Sequence, residues 1–288
     1  MLTRHVALVS DESSIKNSEL IAVAGALQKQ VTRDFGPIWG IQADVSAFEK
    51  LEDMPLDYWP IIIKDDIGDP NAAGYHEDQH GQPFSLVQFS EGWHLTASHE
   101  LLEMLGDPFG RRMVAGQSPV PTQGRVKFLV EVCDPCEAEQ FAYTVNGITV
   151  SDFYTPHYLD PVASAGVRYS YTGAIKEPRQ VLKGGYLSWY EPSSRQWWQR
   201  TWFGGTKAAD GPLQNLNVGN GNLRQAIDRL TQTKQAKAQR RGVKPPRMAA
   251  MAARKPDMAF ANHAADLRAT IAVVTKKVTA ATVTKRPK

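Results

Sequence analysis

The sequence predicts an α+β body followed by a basic tail, and three observations carry that expectation. Charge is segregated: the 288 residues hold 33 Lys+Arg against 30 Asp+Glu, net +3, yet residues 1–222 carry 17 basic and 27 acidic side chains and residues 223–288 carry 16 basic and three acidic. Those halves are −10 and +13, so they read as different materials. The first 105 residues alternate in the order strand, helix, strand, strand, strand, helix. Finally, 42% hydrophobic and 9% aromatic content can fill a core, which excludes a wholly disordered chain. The expected division is a body at 1–222, with a core at 1–153 and a β-rich cap at 154–222, and a tail at 223–288.

His5 to Ser10 alternates and is rich in Val and Leu, as a first strand requires. Ser18 then caps a helix whose Leu20, Val23, Ala24, Leu27 and Val31 fall at helical spacing, with Gly36-Pro37 as its stop. Ile38–Phe48 and Tyr58–Lys64 read as the second and third strands, and Asp65–Gly81, full of Asp, Gly, Asn and Pro, as a long loop. Pro83–Phe89 is the fourth strand and Trp93–Leu105 the second helix, stopped by Gly106-Asp107-Pro108. Val126–Cys133 and Phe141–Val150 follow as strands, the latter around an Asn146-Gly147 turn. Tyr154–Phe203, rich in Tyr, Trp, Gly and Pro, is expected to be an irregular β-rich cap. Leu223–Arg241 reads as a helix, and the Ala/Lys/Arg/Thr-biased remainder, with the single aromatic Phe260, has too little apolar surface to fold alone.

No apolar run approaches the roughly 18 to 20 residues that span a bilayer. The N-terminus has one Arg and too short an apolar stretch for a secretory signal. Two cysteines, Cys133 and Cys136, cannot make a disulfide framework, so a cytoplasmic protein is the default expectation.

The informative string is Ser98-His99-Glu100-Leu-Leu-Glu103-Met-Leu-Gly-Asp107-Pro108. On a helix, residues four apart share a face about 6 Å apart along the axis, so His99 and Glu103 can grip one metal ion. Glu100 faces the edge of the same cavity and is placed to deprotonate a water at the metal. That is the logic of an H-E-x-x-H helix with a carboxylate for the second His. Such a string also arises on solvated helices by chance. Here, however, Leu95, Ala97, Leu101, Leu102, Met104 and Leu105 cover most of the circumference. A helix that apolar is buried, and a buried His-Glu-Glu trio needs a counter-charge. Glu131-Val-Cys-Asp134-Pro-Cys-Glu137, ending a hydrophobic strand, offers a third ligand for a metal ion there. Asp107 lies eight residues after His99, about 12 Å along a helix, and is expected to cap the turn or to support a ligand. Glu131 is favoured as third ligand and Asp134 as an acceptor orienting the His99 ring, with Asp134 and Asp107 as alternatives for the third position.

These residues resemble a family. Ser98, His99, Glu100, Glu103, Asp107 and Pro108, then Glu131, Asp134 and Cys136, match the two blocks SHExxExxxDP and ExxDxC of a bacterial family of zincin-like proteins. The plant phosphate-induced, EXORDIUM-like proteins are similar in both blocks. Gly74-Tyr75-His76, Val150-Ser-Asp-Phe153 and Gly184-Gly-Tyr-Leu187 also resemble the bacterial set, so the likeness spans residues 5 to 205. It implies a metallopeptidase-like fold, with strands preceding an active-site helix, and names no substrate.

Several other groups are read as structural. His76-Glu-Asp-Gln-His80 spells H-E-x-x-H, but its flanks of Gly, Asn and Pro suit no helix, although His76 directly precedes the strand beside the site helix and could line the cleft. Cys133-Asp-Pro-Cys136 ends a strand instead of opening a helix, which argues against redox chemistry. His94 points about 140° away from His99 and is expected to pack. His157 and Asp152 fall in the cap as minor candidates for the cleft, and Trp189, Trp197, Trp198 and Trp202 read as core.

The leading expectation is a Zn²⁺-dependent hydrolase acting on a peptide or protein substrate, with His99, Glu103 and Glu131 as ligands and Glu100 as base. The alternative is an inactive zincin-like scaffold whose basic tail binds an acidic partner. A third reading is nucleic-acid binding by the tail, which has charge for phosphates but little aromatic surface to stack bases. In each case the tail is expected to take no part in the metal chemistry.

Overall fold

A computed structural model describes residues 2–218 and 223–240, with side chains described as far as Gln235. Expectations for the chain beyond residue 240 lie outside the described residues. The first sheet holds β1 (Thr3–Ser10), β2 (Gln42–Phe48), β3 (Tyr58–Lys64), β4 (Gly74–Gln79) and β5 (Gln82–Gln88) in the order β2-β1-β3-β5-β4. All pairs are parallel except the last, where β4 runs antiparallel on the edge. Pro60 to Lys64 of β3 are buried without alternation, as a central strand covered on both faces demands.

The strand β4 replaces the loop expected over Asp65–Gly81. Its signal was the two-residue turn His80-Gly81, both at positive φ (53° and 82°), which folds Gln79 back onto Gln82. On a strand His76 and His80 cannot share one ion, and His80 lies in the turn itself.

The first helix also differs from expectation. It is α1 (Asn17–Lys29), starting after Lys16 with no side-chain cap. It does not stop at Gly36-Pro37 but widens into a π-helical turn at Gln30–Phe35 and continues as α2 (Gly36–Trp39), closed by Gly40 at φ 65°. Pro37 sits in the first turn of α2, where no N–H is needed. A Cβ on Gly36 would lie 2.5 Å from the Ile41 carbonyl oxygen, so only glycine fits there. The second strand consequently begins at Gln42, not Ile38.

The site helix is α3 (Trp93–Gly106), which packs on β5, β4 and β3 and is buried at every residue except His94. Its all-round apolar character is explained by a second layer on its other side. That layer includes the hairpin of β8 (Tyr143–Val145) and β9 (Ile148–Val150), turning at Asn146-Gly147 with φ 50° and 82°.

A second sheet is antiparallel throughout. It comprises β6 (Met113–Gln117), β7 (Arg125–Leu129), β10 (Tyr186–Glu191), β11 (Gln196–Thr201) and β12 (Ala209–Pro212), in the order β12-β11-β10-β7-β6. It therefore spans the expected line between core and cap at residue 153. The strand expected over Val126–Cys133 stops at Leu129, and Val130–Cys136 is irregular, ending in a 3-10 turn at Asp134–Cys136. Helix α4 (Leu223–Arg240) follows. It is docked on the body: Ile227 packs with Leu129 and Leu213, and Arg224, Ala226, Ile227 and Thr231 are buried. Among the described residues no helix is long and apolar enough to cross a membrane.

Candidate metal centre

Helix α3 is stitched in place from the π-helical turn. Gln30, wholly buried, accepts a hydrogen bond from Ser98 Oγ at 2.8 Å and donates to the Ser151 carbonyl at 3.0 Å, while Ser151 N donates to Ser98 Oγ at 2.9 Å. Widening the helix at Gln30 turns that side chain inward, and the hydroxyl of the serine that precedes His99 is held by two groups at once, Gln30 and Ser151 N. At the other end Asp107 caps the turn, accepting from Arg112 N at 2.7 Å, while Arg112 Nη1 donates to the Gly106 carbonyl at 2.8 Å.

Between those anchors His99, Glu100 and Glu103 project into a buried cluster together with Glu131 and Asp134 from the irregular segment after β7. His99 Nε2 lies 3.2 Å from Glu103 Oε1 and 3.4 Å from Asp134 Oδ1. Asp134 thus meets the same ring nitrogen as Glu103, beside the cluster, and does not orient the ring from behind. A Cβ on Gly185 would fall 2.4 Å from the Asp134 carbonyl oxygen, so the Gly184-Gly185 pair lets β10 approach the turn that presents Asp134.

Two residues outside the expected set enter the cluster. His76, on β4, is wholly buried; its Nε2 is 2.9 Å from the Asp107 carbonyl oxygen, which makes Nε2–H the donor there. Nδ1 lies 3.6 Å from Glu100 Oε2 and 3.9 Å from Glu103 Oε2. Gly74 allows this approach, since a Cβ there would sit 3.0 Å from Glu100. The other addition is Arg224 of α4. Its Nη2 is 2.6 Å from Glu103 Oε2, its Nε 2.9 Å from Glu131 Oε2, and ion pairs at 3.6 Å reach Glu100 and Asp228. The helix expected to take no part in the site contributes a buried cation to it.

The electrostatics follow from burial. Burial opposes protonation of His99, yet the charge of Glu103 and the nearby carboxylates of Asp134 and Glu103 hold its pKa well above the usual histidine value. Burial likewise opposes ionisation of Glu103, but the charges of His99 and Arg224 keep it well below the carboxylate range. Asp134 is pushed up to about 8 by burial and the Glu103 charge, with His99 opposing. Burial first, then repulsion from Glu103, Asp134 and Asp107, outweighs Arg224 and raises Glu131.

These carboxylates outnumber their donors. Glu100 Oε2, Glu131 Oε1, both Asp134 oxygens, His76 Nδ1 and His99 Nδ1 are buried with no hydrogen-bond partner among the described residues. Each such group costs about 1–3 kcal/mol unless a charge satisfies it. An O- and N-donor set of this kind fits a divalent cation of the zinc type. Among the described residues, three groups each bring potential ligand atoms within 4.8 Å of one another: His99, Glu103 and Cys133; His76, Glu100 and Glu103; and Glu103, Glu131 and Asp134. These buried groups could hold a metal ion, and Glu103 is common to all three. The trio of His99, Glu103 and Glu131 is divided between the first and third.

The remaining candidates lie elsewhere. Asp152 accepts from Thr172 N and Oγ1 at 2.9 and 2.7 Å, His157 pairs with Asp160 at 2.9 Å on the surface, and Trp189 stacks on Trp198 at 6.5 Å. Cys133 and Cys136 are buried free thiols whose pKa burial pushes up. Cys133 instead serves through its backbone, whose N–H donates to Glu103 Oε1 at 3.3 Å. Compared with family models, curated proteins and solved structures, the chain matches none.

Proposed function

We propose that this chain is a zincin-like, zinc-dependent hydrolase acting on peptide bonds. The observation that carries the reading is the convergence of His99, Glu100 and Glu103, on one buried face of α3, with Glu131 and Asp134 from a separate segment, their oxygens short of donors. The mixed sheet lying against α3 supports the zincin-like architecture. His99, Glu103 and Glu131 hold the ion, with Asp134 beside them. Zinc in that position supplies a Lewis acid that polarises a carbonyl and lowers the pKa of water. Glu100 takes the proton from the attacking water and returns it to the leaving amine. His76 steadies Glu100 from the β4 side, its ring fixed by the Asp107 carbonyl.

Arg224 favours a second reading, a scaffold whose acidic cluster is neutralised by the chain's own cation and does no chemistry. Metal analysis separates the two. The hydrolase reading expects one zinc per chain on reconstitution and peptide cleavage that Glu100→Gln abolishes with zinc content unchanged. No stoichiometric zinc after reconstitution overturns it, and loss of zinc in Glu100→Gln makes Glu100 a ligand.

A further inference from the structure

We propose that Arg224 and a divalent metal ion compete for one position, so that docking of α4 keeps the site closed and metal binding displaces the helix. The proposal rests on the zinc-site reading above and concerns its regulation.

Arg224 engages the groups that reading needs. Its guanidinium lies 2.6 Å from Glu103 Oε2 and 2.9 Å from Glu131 Oε2, the two carboxylate ligands, and 3.6 Å from Glu100 Oε2, the base. A zinc ion bound at about 2.0–2.2 Å from those carboxylates would face a fixed positive charge within a few ångströms in a buried setting. Arg224 also donates from Nη1 to the His76 carbonyl at 3.3 Å, so it bridges β4 to the segment after β7 across the mouth of the cluster. With α4 in place the pocket lined by His99, Glu100, Asp134, Tyr186, Arg224 and Asp228 keeps about 70 Å³ for water-sized molecules. That is room for a few waters beside the cluster.

Beyond Arg224, α4 is held by the apolar cluster of Ile227, Leu129 and Leu213, with Trp197, Leu216, Leu223 and Leu230 packed against it. Side-chain hydrogen bonds add to it, from Gln199 to Thr231 at 2.6 Å, Lys234 to Gln199 at 3.1 Å and Tyr186 to Asp228 at 3.2 Å. A closed state of this kind lowers apparent metal affinity by the fraction of molecules that are open.

The test uses the full chain and three proteins: wild type, Arg224→Gln, and Ile227→Asp, which loosens α4 while keeping Arg224 and every carboxylate. Zinc affinity is measured by competition with a chromophoric chelator, and docking of residues 223–235 by hydrogen exchange and mass spectrometry. Both variants are expected to bind zinc at least about tenfold more tightly than wild type. Zinc should also raise exchange across residues 223–235 of the wild type. Equal affinities in all three proteins overturn the competition and leave the zinc site standing, as does zinc binding without a rise in exchange. Absence of zinc binding in all three overturns the zinc site and the competition together. Circular dichroism of each variant shows that the body remains folded.

Discussion

Arg224 Nη2 lies 2.6 Å from Glu103 Oε2, joining α4 to the middle of the acidic cluster on α3, 121 residues earlier. Both side chains are almost wholly buried, at 3% and 0% exposure, so this is a pair whose partner cannot be replaced by water. Removing one member of a buried ion pair costs about 3–5 kcal/mol. Arg224→Ala is therefore expected to lower the melting temperature markedly in the presence of a chelator. Saturating zinc, supplying the cation instead, should recover most of that loss through binding linkage. Melting curves of the variant with chelator and with zinc check this. An unchanged melting temperature with chelator would mean that the pair contributes nothing.

What the sequence disclosed follows physical lines. The face of α3 was legible because His99 and Glu103 are four residues apart within an apolar run, and helical spacing is local information. Glu131 and Asp134 were legible as an acidic cluster at a strand end. His76 was legible as a residue that could line the cleft but carried no role, because Asp65–Gly81 reads as a loop; the His80-Gly81 turn is the signal for β4. Arg224 was hidden by net charge, which averages over 66 residues a segment whose first turns are amphipathic. Arg224, Ile227 and Thr231 recur at helical spacing and are all buried, and that pattern, read alone, marks a docked helix.

His76 is placed to act through Glu100. Its Nδ1 is 3.6 Å from Glu100 Oε2, and its other nitrogen is engaged by the Asp107 carbonyl at 2.9 Å. If it positions the base, His76→Ala should reduce turnover by about tenfold or more, the scale on which misplaced acid–base groups act, while zinc content stays at wild-type stoichiometry. Zinc analysis beside kinetics decides the matter. Loss of the metal would assign His76 as a ligand, in the group it forms with Glu100 and Glu103.

Gly185 makes a separate prediction about the turn that carries Asp134. A Cβ there would meet the carbonyl oxygens of Asp134 and Pro135 at 2.4 and 2.7 Å, both of them backbone atoms that cannot swing aside. Gly185→Ala must push the 3-10 turn away from β10, at a cost of roughly 1–3 kcal/mol for overpacking, and carry Asp134 away from His99. Denaturant unfolding should show the lost stability and zinc titration a weakened affinity, whereas Gly25→Ala, where nothing lies within 4 Å, should leave affinity unchanged.

Acid stability is expected to depend on a group outside the candidate metal centre, Asp34. Asp34, with a side chain only 1% exposed, is paired with Arg33 and accepts hydrogen bonds from Tyr171 at 2.7 Å and Tyr143 at 2.9 Å. Burial alone would raise its pKa, but the hydrogen bonds from Arg33, Tyr171 and Tyr143 reverse the sign and hold it below the usual carboxylate range. A carboxylate depressed in the folded state binds fewer protons there than when unfolded. Its stabilising contribution is thus complete above the unfolded pKa of about 4 and is lost as pH falls through the lower folded value. Asp34→Asn should be less stable than wild type at neutral pH, and the gap between the two proteins should narrow as pH drops below about 4. Urea midpoints at intervals from neutral to acid pH measure the gap directly. A constant gap across that range would show that Asp34 acts through packing and hydrogen bonding independent of its charge.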